Sequence, residues 1–213
     1  TAMIRAAGLA SATGLSAGDV EGGGFWEAKT RVALQALLHA AALIDEAAPS
    51  SDIGVEFGPP KIDLDKLRGF KQDKVVGQFT KGLAGMAKQR KVRTVQGVAS
   101  FVSPNELEIA GADGKTQLLR FEQCIIAAGS QAVKLPAFPW DDPRVMDSTD
   151  ALELAEVPKT LLVVGGGIIG LEMATVYRAL GSAVTVVEFM DQLMPGADKD
   201  LVKPPADRLK KQG

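Results

Sequence analysis

Apolar positions recur along this chain at two spacings, one helical and one strand-like. Val32, Leu34, Leu37, Leu38, Ala41, Leu43 and Ile44 fall at helical intervals and predict a mostly buried helix over 32–48, closed by Pro49-Ser-Ser-Asp52. Leu64, Leu67, Phe70, Val75, Phe79, Leu83 and Met86 predict a second helix from Asp63 to about Lys91, with Lys66, Lys71, Lys74, Lys81 and Lys88 on its wet face. Gly77, Gly82 and Gly85 weaken that helix by ~1 kcal/mol each relative to alanine, or mark close packing. Shorter runs at Val92–Phe101, Leu107–Ala110 and Thr116–Phe121 predict a small β-meander, with turns at Ser103-Pro-Asn105 and Ala112-Asp-Gly114. Gln123–Ala128 reads as a short buried strand closed by Gly129-Ser130. Pro136, Pro139 and Pro143 make an extended connector, and Ser148 is expected to cap a short helix through Leu154. A last helix is expected over 197–212, starting near Pro205 or kinked there, because Pro204 and Pro205 lie inside it. Residues 1–35 read poorly: Ala2–Ala12 fits the tail of a helix, and Gly14–Gly24 is rich in glycine and small residues with no clear period.

Between these elements lies Leu161-Leu-Val-Val-Gly-Gly-Gly-Ile-Ile-Gly-Leu-Glu172, followed by Ala183-Val-Thr-Val-Val187 and Glu188. This is a strand, a G-x-G-x-x-G turn at Gly165, Gly167 and Gly170, a helix, and a second strand ending in an acid. Gly165 lets the chain turn out of the strand, Gly167 lets a pyrophosphate approach the backbone, and Gly170 lets helix and strand pack closely. The helix from about Ile168 to Leu180 aims its N-terminal N–H groups at the phosphates, with Gly181 as its C-terminal glycine. A carboxylate at Glu188 suits ribose hydroxyls and disfavours the 2′-phosphate of NADP. No Lys or Arg between Phe189 and Gly196 reverses that, so the expected cofactor is NAD. A bare glycine fingerprint also fits an α/β turn that merely needs glycine; the flanking strands, helix and acid favour the dinucleotide.

Composition narrows the class. Of 213 residues, 46% are hydrophobic and 23% charged, which is globular rather than disordered. A net charge of −2 leaves no basic footprint for nucleic acid. No apolar run approaches the ~20 residues of a membrane span, and no secretory leader is read in residues 1–20. A single cysteine excludes an intrachain disulfide framework. A cytoplasmic α/β protein is expected. Cys124, in an apolar run, reads as a small buried residue. His39 reads as a packing residue of its helix rather than a base.

Several segments in order resemble one family. They are Ala36-Leu-Leu-His-Ala-Ala-Ala-Leu43, Gly82-Leu-Ala-Gly-Met-Ala-Lys88, Lys88-Gln-Arg-Lys-Val92, Gln96-Gly97 with Phe101 after it, Cys124-Ile-Ile-Ala-Ala-Gly-Ser130, Leu135-Pro136, Val163–Glu172 and Gly196-Ala-Asp-Lys-Asp-Leu-Val202. Over about 36–203 the chain is similar to the pyridine nucleotide–disulfide oxidoreductases, and within them to the members that reoxidise dihydrolipoamide. The resemblance implies an α/β, Rossmann-like, two-domain FAD/NAD(P)-binding flavoprotein with a small β-meander, incomplete here. Residues 1–147 would be a partial FAD-binding domain and 148–213 the start of an inserted NAD-binding domain. It implies that Gly97, Ala128, Gly129 and Ser130 line FAD. It implies that Gly165, Gly166, Gly167, Ile168, Ile169, Gly170 and Leu171 bind NAD, with Glu172 near the nicotinamide end and Glu188 on the adenosine ribose. The implied substrate is dihydrolipoamide on the lipoyl domain of a 2-oxo acid dehydrogenase complex, oxidised by a homodimer. Threonine is commoner in the family where Ala128 stands.

The chain also departs from that pattern. The family's two redox cysteines, spaced C-x-x-x-x-C, fall on Trp26 and Arg31, and its usual lysine falls on Gln35. The first FAD fingerprint is expected ahead of residue 1 and the His–Glu catalytic pair beyond residue 213. No catalytic residue and no metal ligand is therefore assigned within this chain. Two explanations stand: a stretch before Ala36 that is shifted in frame or wrongly assigned, or a non-catalytic or antigenic relative that keeps the cofactor-binding shape. A soluble transhydrogenase-type flavoprotein is the alternative enzyme.

Overall fold

The computed structural model describes residues 23–47, 50, 53–128, 132 and 134–213, the side chains of 23–28 excepted. The chain divides into two compact units, one holding the described residues up to Val32 with Val76–Val133, the other Ala33–Val75 and Lys134–Gly213.

Helix α1 spans Gly23–Ala47, about nine residues earlier than the apolar pattern alone reaches. Ala33, Leu34, Ala36, Leu37 and Ala41 are its buried stripe. His39 is exposed, against the packing role expected for it, because it lies off that stripe. The second helical stretch is broken into three parts: α2 (Leu64–Gly69), a π-helical stretch (Phe70–Val76) and α3 (Gly77–Gln89). Asp63 caps α2 by accepting the Lys66 N–H at 3.0 Å. The wider π winding re-phases the side chains and turns Lys71 inward, so that it is only 4% exposed. Its expected place on a wet face is thus corrected, while Phe70 and Met86 of the expected apolar face are exposed.

In the first unit, β1 (Val98–Ser103), β2 (Glu106–Ala110) and β3 (Thr116–Arg120) form an antiparallel meander in the order β1-β2-β3. The first strand is shorter than expected, since Val92–Gln96 has no regular structure. Ala99, Leu107 and Ile109 are its core, with Val95, Leu119, Phe121 and Cys124 packed against them. Gln123–Ala128 is not a strand: among the described residues it has no ladder partner, and Ile125 and Ile126 are exposed. A run of apolar residues sets a preference, but only a neighbouring strand supplies the hydrogen bonds.

The second unit carries a β-α-β arrangement. Strands β4 (Thr160–Val164) and β5 (Ala183–Val187) are parallel, Thr160 opposite Ala183 and Val164 opposite Val187. Two helices of this unit flank the strands in the sequence: α4 (Ser148–Glu153) before β4, and α5 (Ile168–Ala179) between β4 and β5. Helix α5 packs on the sheet through a face that buries Leu171, Met173, Ala174, Val176 and Tyr177. Alternation puts Leu161, Val163, Val184 and Val186 half-buried on one side and leaves Leu162, Val164 and Val187 exposed on the other. Gly181, at φ +113°, ends α5 with its N–H on the Arg178 carbonyl (3.0 Å), and the Ser182 N–H reaches the Tyr177 carbonyl (2.9 Å).

Helix α4 is capped by Asp147 rather than Ser148: its carboxylate accepts the Thr149 and Asp150 N–H groups, and Asp150 returns a bond to the Asp147 N–H. The other end of α4 is held by cations. Lys71 donates to the Leu152 and Glu153 carbonyls, and Arg68 donates to those of Leu154 and Ala155 at 2.8 and 2.9 Å. The Tyr177 hydroxyl donates to the Ala151 carbonyl at 2.9 Å, tying α4 to α5. Burial holds the Tyr177 hydroxyl above and the Lys71 ammonium below their usual pKa. Asp45 of α1 pairs with Arg178 of α5. The last helix, α6, runs Lys199–Gln212 with Pro204 and Pro205 inside it, so it begins ahead of Pro205 rather than at it. The two prolines leave the Asp200 and Leu201 carbonyls without the usual helical donors.

Candidate dinucleotide site at the glycine turn

The turn leaving β4 is built as its glycines require. Gly165 sits at φ +112°, a region that side-chain-bearing residues rarely occupy, and its N–H donates to the Val187 carbonyl at 2.8 Å. Gly170, in the first turn of α5, has no room for a side chain: a Cβ there would overlap the Gly165 carbonyl oxygen and approach Val163 Cγ1 to 3.3 Å. Gly167 is the opposite case. It is the N-cap of α5 with an ordinary φ of −76°, it makes no side-chain cap bond, and a Cβ on it would meet nothing within 4 Å. The open space lies where free helix N–H groups and the positive end of the helix dipole would face an anion.

Glu188 is the first residue past β5, and its carboxylate reaches back to the turn. The Gly166 N–H donates to Glu188 Oε2 at 2.7 Å and the Met190 N–H donates to Oε1 at 2.9 Å. These donors, Met190 first, hold the carboxyl below its usual pKa, so the group stays ionised at neutral pH. The return loop reinforces the contact. The Met194 N–H donates to the Gly166 carbonyl at 2.8 Å, and a Cβ on Gly166 would come within 2.5 Å of Leu193 Cδ2. Nothing in the spacing of the sequence points to Leu193 or Met194; their part depends on a loop that folds back.

The expected residues therefore divide. Gly165, Gly166, Gly167, Gly170 and Glu188 come together at the carboxyl ends of the two parallel strands, where open α/β sheets bind ligands. Ile168 and Ile169 are exposed at the start of α5, Leu171 is buried in its core face, and Glu172 is half-buried. Gly97 has φ +154°, and a Cβ on it would lie 2.6 Å from the Ala110 carbonyl oxygen. Close approach to β2 is thus enough to require glycine there. Ala128 is half-buried without regular structure, and Gly129 and Ser130 lie outside the described residues. Trp26 and Arg31 both fall in α1, where Arg31 is exposed. Cys124 is half-buried against the meander. Among the described residues no cluster could hold a metal ion, and no helix is long and apolar enough to cross a membrane.

Known proteins are similar to this chain. The chain is 56% identical over 176 residues to a dihydrolipoyl dehydrogenase of Vibrio cholerae, covering 83% of this chain and 37% of that protein. It is 54% identical over 168 residues to a dihydrolipoyl dehydrogenase of Haemophilus influenzae, covering 79% and 35%. Among solved structures, the HOCl-induced flavoprotein disulfide reductase RclA of Escherichia coli, a Cu(II) complex, superposes with a TM-score of 0.68 at 27% identity, covering 85% of this chain and 37% of that one. The chain thus spans little more than a third of the length of these relatives. The family model described as pyridine nucleotide-disulphide oxidoreductase matches residues 6–213. On that match and these identities, the chain belongs to the pyridine nucleotide-disulphide oxidoreductases.

Proposed function

We propose that this chain is the central stretch of a flavoprotein dihydrolipoyl dehydrogenase. The whole protein would reoxidise dihydrolipoamide through a redox-active disulfide and FAD, with NAD⁺ as final acceptor. Residues 1–147 would belong to its FAD-binding part and 148–213 to the start of its NAD-binding domain. The observation that carries the proposal is the turn itself: an open glycine at the head of α5 beside an ionised Glu188 held on the Gly166 N–H. The identity to relatives named dihydrolipoyl dehydrogenase supports the substrate.

The turn fits an NAD pyrophosphate. Gly167 leaves the approach clear, the N–H groups at the start of α5 would donate to the phosphate oxygens, and Ile168 and Ile169 would flank it. Glu188 would accept from the ribose hydroxyls and repel a 2′-phosphate, which selects NAD over NADP. When bound, the nicotinamide and flavin supply the hydride chemistry; the protein binds, orients and excludes water. For FAD, Gly97, Ala128, Gly129 and Ser130 are proposed as lining residues on the strength of the relatives, since Gly97 already has a packing reason to be glycine. A homodimer in the cytoplasm, acting on the lipoyl domain of a 2-oxo acid dehydrogenase complex, completes the proposal.

One observation favours a second reading. Trp26 and Arg31 stand where the thiols belong, and Cys124 has no second cysteine in the chain with which to pair. A non-catalytic relative would keep the NAD site and lose turnover. Flavin absorbance and lipoamide-dependent NADH formation by the purified protein, with peptide sequencing across Gly22–Gln35, separate the two. Yellow, active protein with cysteines in that peptide supports the dehydrogenase. A colourless, inactive protein that contains Trp26 and Arg31 and still binds NAD⁺ supports the second reading.

A further inference from the structure

Between Ile53 and Val75 the chain buries a single residue, and that residue is Lys71. Helix α2 buries none, and Phe70 beside Lys71 is exposed. Apolar burial, the usual source of attachment between elements, is therefore almost absent from this stretch. Polar bonds take its place. The Lys71 ammonium donates to the Leu152 and Glu153 carbonyls at 2.5 and 3.5 Å, and the Arg68 guanidinium donates to those of Leu154 and Ala155 at 2.8 and 2.9 Å. These four consecutive carbonyls close α4, at the negative end of its dipole. Both sides of the contact lie in the second unit, but they are held differently. Helix α4 has an attachment of its own: Ala151, Leu152 and Leu154 are buried, and the Tyr177 hydroxyl donates to the Ala151 carbonyl at 2.9 Å. The stretch facing it keeps local structure through the Asp63 cap on Lys66 and the Asp65–Arg68 pair, yet has no apolar anchor. Fastening also carries costs. Burial strips water from the Lys71 ammonium, which lowers its pKa, and Leu154 sits at φ +56°, a left-handed turn that leucine rarely adopts.

We propose that residues 64–75 are a strap, fastened to the end of α4 by Lys71 and Arg68, that opens as a unit while the β-α-β arrangement stays folded. Opening exposes little apolar surface, so it is a local event rather than a step of global unfolding. It frees the carbonyls of Leu152, Glu153, Leu154 and Ala155 and delivers Lys71 to water. It stops at Pro158 and Lys159, whose carbonyls accept from the Ser182 hydroxyl at 2.5 Å and the Ala183 N–H at 2.9 Å at the start of β5. The strap is a conformational device of the fold and does not depend on the NAD reading. Lys71 is its gauge, because that amine meets solvent only when the strap is open.

The test is trace acetylation with acetic anhydride of the whole protein to which this chain belongs, read lysine by lysine by peptide mass spectrometry. It is run in a series of urea concentrations below the unfolding transition. The exposed Lys66 and Lys74 are internal standards. Lys71 should react at least about tenfold more slowly than either. Its rate should stay flat with urea, because the urea dependence of an opening scales with the surface it exposes. Arg68→Met should speed Lys71 by about tenfold and leave Lys66 and Lys74 as they are. A Lys71 rate that climbs with urea in step with global unfolding means that the strap never opens by itself, and overturns the proposal. So does a Lys71 as reactive as Lys66 and Lys74, or an unchanged Lys71 rate in folded Arg68→Met protein. Should Arg68→Met fail to fold, the urea series on the wild type decides alone.

Discussion

Gly97 and Gly167 look equivalent in the sequence, each a glycine at a strand end beside a proposed cofactor, yet their surroundings are opposite. Gly97 is pressed against β2, so a methyl group would strike the Ala110 carbonyl. Gly167 faces open space and has a φ that any residue can adopt. A glycine that its neighbours require says only that the fold needs it. A glycine that nothing in the fold requires, at a helix N-terminus and beside a fixed carboxylate, points to something outside the fold. The difference separates a packing glycine from a ligand glycine without reference to any relative.

Substitutions can break or sharpen that contrast. The largest effect is expected at Gly170, which the turn itself crowds. Gly170→Val should cost about 3 kcal/mol of stability, read as a lowered urea midpoint, since overpacking here is against backbone. Gly97→Ala should cost about 2 kcal/mol through strain at positive φ and the clash with β2, and leave NAD⁺ affinity unchanged. An equal loss of NAD⁺ binding would erase the distinction between the two loops. Gly167→Ala should leave the urea midpoint where it is and weaken NAD⁺ by about tenfold, or ~1.4 kcal/mol. Glu188→Gln should weaken NAD⁺ by about fivefold and narrow the preference over NADP⁺.

Glu188 also sets a pH dependence. Its folded pKa lies below its ordinary value, so its contribution to the turn is complete above that ordinary value and is lost as pH falls through the lowered one. NAD⁺ affinity should therefore be flat from pH 8 to about pH 5 and decline only in more acidic solution. Glu188→Gln should remove the acid decline.

Much of the second unit is legible in the sequence because short-range rules decide it. Strand, turn, helix, strand and acid within Leu161–Glu188 each follow from local pattern, and each is in place. The meander follows for the same reason, since turns at Pro104-Asn105 and Asp113-Gly114 set its hairpins. What failed depended on partners distant in sequence. Lys71 is buried because a π-helical stretch re-phases it toward carbonyls of α4, some 80 residues away. Ser148 lost the cap to Asp147, where the reciprocal bond from Asp150 decides. Gln123–Ala128 has strand composition but no neighbouring strand among the described residues. In the site, the glycine turn and the acid past β5 are legible as separate motifs, while the Gly166–Glu188 hydrogen bond and the Leu193–Met194 strap are not, because spacing carries no sign that a side chain or loop will return.

The most direct measurement is competitive binding of NAD⁺ and NADP⁺ to the whole protein to which this chain belongs, followed by calorimetry in wild type and Gly167→Ala. A dinucleotide site at the glycine turn predicts saturable, one-to-one binding of NAD⁺, at least about tenfold weaker NADP⁺, and loss of most NAD⁺ affinity in a Gly167→Ala variant of unchanged stability. Folded wild-type protein that binds neither nucleotide, or a Gly167→Ala variant that binds NAD⁺ undiminished, would contradict it.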